Sequence, residues 1–276
     1  MKHHMKQGWR LTVKHMHILI VLFLYQLLWG FFLYRYVDSV VTPLLERYPG
    51  TLPSESASGL FWAEAQFRLL KTSLVQPYAW TLLGMLALRM IVTPLLNAGL
   101  FYSLHHVSAG GDGGSRFMQG IRRCWKRVLP LYWCETLLTL APAWWLLPRG
   151  LDALLSSPSM LELAQTALPW GAGWLLWGVL LHLLFLALQF GAASGQSLTD
   201  SLLRAPRLLL PLAALSLVLW LIAAASGLAV SGASLLWAGL LAIMIQQLYH
   251  FGRTLLGIWS VASQFDCWQS NQPGSR

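Results

Sequence analysis

Among the 276 residues, two ionisable side chains, Arg89 and Glu135, stand inside long apolar stretches. A charge near the middle of a bilayer costs roughly 2.5–3.5 kcal/mol on insertion scales, so such groups persist where they are paired, wet or used. His182 joins them when LLWGVLLH is laid on LLGMLALR, which aligns His182 with Arg89. The corresponding third position is Ala242, and Gln246, Gln247 and His250 supply polarity nearby instead, while Asn97 and Gln189 fall near the inner ends of their stretches. Arg89, Glu135, His182 and Gln246 therefore form the candidate intramembrane polar site.

Three roles suit these residue types: an ion pair clamping two helices, a proton or substrate relay, and simple interhelical hydrogen bonding. At 1.5 Å per residue, Arg89 is expected roughly 20 Å from the inner face and Glu135 roughly 11 Å. Side-chain reach and one bridging water would join them. The alternative is a Glu135 that snorkels inward and an Arg89 that meets a carbonyl, a hydroxyl or His182.

Other chemistry is poorly represented. The sequence has no HExxH, no GxSxG, no DxxD-type paired carboxylates and no Cys/His metal spacing. Cys124, Cys134 and Cys267 match no CxxC motif and read as reduced structural thiols. His3-His4, His15/His17 and His105-His106 are interfacial pairs that can titrate but lack further ligands. The Gly-rich SAGGDGGS, 108–115, has neither the Lys-Ser/Thr nor the strand of a phosphate cradle, and reads as a hairpin. No catalytic residue, cofactor or metal is predicted, and the chain is not expected to be an enzyme.

The elements that must position these residues follow from composition. The chain is 56% hydrophobic and 11% charged, with a mean hydropathy of +0.56. A soluble domain carries roughly 25% charged residues, and disordered chains are polar, so both classes are excluded. Crossings are expected near 16–36, 79–103, 128–147, 170–191, 208–228 and 235–257. The first has an apolar run too long for a signal peptide and no cleavage site after it.

Charge orients the layout. With the amino terminus inside, the inner segments hold thirteen cations against Asp112, Asp200 and Asp266. The outer segments hold five cations against six acids. Loops rich in Lys and Arg stay in the cytoplasm, so both termini are predicted there. The formal net charge of +9 thus reads as a rim facing anionic lipid, with no nucleic-acid module accompanying it.

Internal similarity adds a second level. QGWRLTVKH, 7–15, matches QGIRRCWKR, 119–127, at Gln-Gly and Lys, and DSLLRAPRL, 200–208, repeats the shape more weakly. Pro130 and Pro211 follow at corresponding points. The predicted fold is all-α: one polytopic domain, 1–276, of six transmembrane helices arranged as three repeated helix hairpins with short interfacial helices. The repeats are expected at about 5–104, 117–191 and 198–262.

Of the outer connections, the first is expected to carry an amphipathic helix over GLFWAEAQFRLLKTSLV. The second should carry a helix over SMLELAQTAL, and the third should turn tightly at 231–234. Fifteen tryptophans, mostly near predicted boundaries, read as aromatic belts.

Residues 92–133 end one helix in Pro94-Leu95-x-x-x-Gly99, cross a polar loop, and enter a basic segment with Gly120. This pattern, about one sixth of the chain, resembles uncharacterised bacterial six-helix integral-membrane families and the membrane domain attached to some glycerophosphodiester phosphodiesterases. The resemblance implies a multi-pass protein of a bacterial inner membrane. The soluble phosphodiesterase barrel is absent, so that activity does not carry over. The expected function is non-enzymatic, through association with anionic lipid at the cytoplasmic face, a partner membrane protein or a second copy. The alternative is a small transporter or permease subunit with a polar site between repeats.

Overall fold

A computed structural model describes residues 1–45, 72–108, 116–156, 160–236 and 240–272, and every regular element among them is a helix. In chain order these are α1 (Lys2–Lys14), α2 (Met16–Leu45), α3 (Thr72–Ser108), α4 (Phe117–Leu140), α5 (Ala143–Ser156), α6 (Met160–Ala193), α7 (Leu198–Leu236) and α8 (Leu240–Ser270). Four helical segments are long and apolar enough to cross a membrane: Met16–Thr42, Gln76–Ser108, Ala167–Ala193 and Leu198–Ser234. They coincide with the first, second, fourth and fifth crossings read from the sequence.

The third expected crossing, 128–147, is interrupted. Helix α4 ends at Leu140, and a turn at Ala141-Pro142 starts α5. Proline has no N–H and disfavours helical geometry in the residue before it, so Ala141-Pro142 is where the helix yields. From Val128 to Leu140 the continuous helix extends roughly 20 Å, short of a hydrocarbon core of about 30 Å. The carbonyls at the end of α4 have no intrahelical partner. Trp174 Nε1 donates to Thr139 O at 2.7 Å, and Trp177 Nε1 to Leu138 O at 3.1 Å. For Trp174, read from sequence as part of a belt, the indole caps a helix end.

Other boundaries also shift. Residues 231–234, expected as a turn, lie inside α7, and from Met160 the SMLELAQTAL segment forms the start of the continuous α6. The basic segment is a separate helix only in α1. In α4 and α7 it runs on into the apolar stretch, with Pro130 and Pro211 inside the helix. The expected amphipathic helix near 59–75 lies mostly outside the described residues, as does most of the Gly-rich loop.

The chain divides into two compact units. The first comprises Met1–Tyr25, Thr93–Thr136 and Gly178–Arg276; the second comprises Gln26–Val92 and Leu137–Trp177. All described buried residues belong to the first unit. At its centre Phe190 meets Phe101 edge to face at 5.0 Å and Phe265 at 5.3 Å. Each of these phenylalanines follows a buried alanine by three positions: Ala98, Ala187 and Ala262. Alanine one turn before lets the neighbouring helix come close enough for the rings to interlock.

Close approach is a general device of this unit. A Cβ on Gly8 of α1 would collide with Ser263 of α8, and one on Gly120 of α4 would fall 2.7 Å from Tyr102 Cβ of α3. Helix α1 is fastened to α8 further by His4 Nδ1 and Asp266 Oδ2 at 2.7 Å and by Trp259 Nε1 donating to Met5 O at 2.8 Å. The second unit is built differently. None of its described residues is buried, and its large apolar side chains stand out, with Trp144 89% exposed and Leu175 73% exposed.

Candidate functional site

Two of the four predicted site residues meet. Glu135 lies in the second half of α4, and its carboxylate faces α6. Glu135 Oε1 lies 2.7 Å from His182 Nδ1, and Oε2 accepts from Gln189 Nε2 at 2.9 Å. His182 and Gln189 are seven residues apart, two helical turns, so they share one face of α6. Between and beside them Leu181, Phe185 and Leu188 are buried together against Leu131 of α4. The carboxylate is thus set among packed apolar side chains, each oxygen occupied by one donor. The Glu135 side chain is 12% exposed, against 62% for His182, which leaves the imidazole as the open side of the pair.

Arg89 and Gln246 are placed elsewhere. Arg89 belongs to the second unit, where its guanidinium lies 5.4 Å from the ring centre of Trp29 on α2. A guanidinium over an indole face gains electrostatic attraction that grows when both are out of water, reaching about 2 kcal/mol. This partner was not among those read from sequence. Gln246 has its side chain exposed on α8. Gln189, which sequence reading placed only near a helix end, is the residue that completes the cluster. Its spacing of seven from His182 was the available signal.

A second polar site lies at the junction of α3, α4 and the end of α6. An open cleft of about 500 Å³ is bordered there by Tyr102, His105 and His106 of α3, Arg123, Cys124 and Arg127 of α4, and the 192–195 segment. Tyr102 Oη and Arg123 Nη1 are 3.5 Å apart, and Cys124 Sγ points to Ala193 O at 3.9 Å. Burial pushes the Cys124 thiol above its ordinary range, although Arg127 and Arg123 act in the opposite sense. A thiol held protonated is a poor nucleophile and a poor metal ligand. His106 Nε2 is buried with no hydrogen-bond partner among the described residues.

No family model, curated protein or solved structure matches this chain.

Chemistry at the two sites differs in kind. The Glu135 cluster is a largely enclosed carboxylate with both oxygens engaged and an exposed imidazole on one side, suited to holding α4 against α6 or to passing one proton through that imidazole. The cleft is open and cationic, suited to an anion. Among the described residues no group of three His, Cys, Asp or Glu side chains could hold a metal ion.

Proposed function

We propose that this is a non-enzymatic multi-pass membrane protein that works by association with anionic lipid, held with its basic segments and both termini toward the cytoplasm of a bacterial cell. One observation carries the reading. The first unit combines a buried Phe101/Phe190/Phe265 core with clefts beside its basic helical segments, one bordered by Arg10 and Lys14 and the other by Arg123 and Arg127. The polar opening is therefore at the cationic margin, where headgroups would be, and the candidate carboxylate has both oxygens taken.

Six crossings in three repeats remain the layout we favour. In the alignment of basic segments, Gly8, Gly120 and Ser201 correspond. Each makes the close approach to a different helix: Gly8 to Ser263, Gly120 to Gly99 and Tyr102, and Ser201 to Gly191. The three contacted helices are also the three that carry the Ala-x-x-Phe pairs. In this layout the third crossing is the broken pair α4–α5, and the sixth begins with α8.

The transporter alternative is supported by His182, whose exposed imidazole leads to a buried carboxylate. Reconstitution separates the readings. Vesicles of phosphatidylglycerol and phosphatidylcholine are expected to retain and stabilise the protein more as the anionic share rises, with salt weakening the effect. Proton flux into the vesicles that disappears in His182→Ala, with no dependence on anionic lipid, would establish the alternative instead.

A further inference from the structure

We propose that the cleft between α3, α4 and the end of α6 is a phosphate-binding pocket, with Arg123 and Arg127 as its principal ligands. The proposal deepens the lipid-association reading and rests on it for setting the cleft at headgroup depth. Arg123 and Arg127 lie four residues apart, one turn on one face of α4, and no carboxylate borders the cleft among the described residues. Like charges in that spacing repel, by a few tenths of a kcal/mol in an exposed helix. An anion between them removes the repulsion and uses the bidentate geometry of two guanidinium forks, which suits phosphate oxygens.

Two further groups complete the pocket. The Tyr102 hydroxyl stands beside Arg123 as a neutral donor. The unpartnered Nε2 of His106 is a buried nitrogen at the cleft wall, and a bound anion would satisfy it in its protonated form. Arg123 and Arg127 also complement the carbonyl end of α6. That role alone calls for neither a cleft nor an unpartnered imidazole.

The corresponding place on α1 is built differently. Leu11, Thr12 and His15 align there with Arg123, Cys124 and Arg127, and Thr12 and His15 are 0% and 1% exposed. At these three positions α1 carries no arginine or lysine, and its own cleft opens beside Arg10 and Lys14 instead.

The test uses the full-length protein in neutral detergent, titrated with dioctanoyl phosphatidic acid, dioctanoyl phosphatidylcholine or inorganic phosphate. Binding is read by native mass spectrometry and by the shift in unfolding temperature. Phosphatidic acid is expected to bind saturably, and Arg123→Gln and Arg127→Gln should each weaken it about tenfold or more. Arg122→Gln and Lys126→Gln, on a neighbouring face of the same helix, should leave it unchanged. Displacement of the lipid by inorganic phosphate assigns the pocket to soluble phosphate compounds, and no displacement assigns it to a lipid headgroup. If a glutamine variant does not fold, Arg127→Lys carries the test, with a smaller loss expected from the missing fork. Equal weakening by all four glutamine variants overturns the pocket while leaving general attraction to anionic lipid intact. No preference for phosphatidic acid over phosphatidylcholine overturns both.

Discussion

The two compact units divide the charge as sharply as they divide the packing. The first holds thirteen of the nineteen cations and four of the ten acids, while the second holds six of each. The first buries its phenylalanines and leaves no room at Gly8 or Gly120; in the second, Gly30, Gly84, Gly150, Gly171 and Gly173 have open space around them. Apolar side chains exposed in the second unit would be an aggregation hazard in water. In hydrocarbon they carry no such penalty, because lipid tails are as apolar as leucine. Leu210 and Leu236 of the first unit stand out in the same way, 81% and 84% exposed, so what divides the units among the described residues is the buried core that the first one has.

The largest expected effect tests that difference directly. Phe190→Ala should cost about 3–5 kcal/mol, since it removes the ring that joins Phe101 to Phe265. Leu175→Ala in the second unit should stay within about 0.5 kcal/mol. Unfolding in mixed micelles measures both, and similar losses would erase the distinction.

Glycine substitutions sharpen it. Gly120→Leu must displace Tyr102 and should destabilise by about 1–3 kcal/mol, whereas Gly84→Leu meets nothing within 4 Å and should be close to neutral. The same micelle assay applies.

Next in size is the Glu135 cluster. Glu135→Leu should cost about 1–2 kcal/mol by leaving Gln189 and His182 without their acceptor. Combined with Gln189→Leu the loss should be less than additive, because the orphaned amide is then gone. Strict additivity in that cycle would show the cluster to be weakly coupled.

The smallest effect concerns acid. His15, at the junction of α1 and α2, is buried, and desolvation holds its pKa below the ordinary 6.5. The unfolded chain therefore binds more protons than the folded one between those values. The stabilisation is complete above pH 6.5 and declines as the pH falls toward the lower folded value. His15→Gln should flatten that decline in an unfolding series from pH 7.5 to 5, and an unchanged slope would assign it to other groups.

Much of this was legible in the sequence for a physical reason. Long apolar runs mark helices, four of them long and apolar enough to cross a membrane, because burying an unpaired backbone in lipid is prohibitive. Glu135 and His182 were identifiable because polar groups are rare inside such runs. What periodicity does not reveal is which helix faces which. Arg89 was therefore matched with Glu135 rather than Trp29, and Gln189 was left out of the cluster it completes. The break at Ala141-Pro142 was readable from proline chemistry but was outweighed by the hydropathy around it. The Ala-x-x-Phe recurrence was present at 98–101, 187–190 and 262–265, hidden because alanine and phenylalanine are common in any apolar helix.

Spin labels placed singly at positions 31, 86, 175, 122 and 126, in a background without the three cysteines, test the central claim in proteoliposomes. Labels at 31, 86 and 175 should be relaxed by oxygen and shielded from a water-soluble nickel chelate, with the reverse at 122 and 126. Nickel access at 31, 86 and 175 equal to that at 122 and 126 would contradict it.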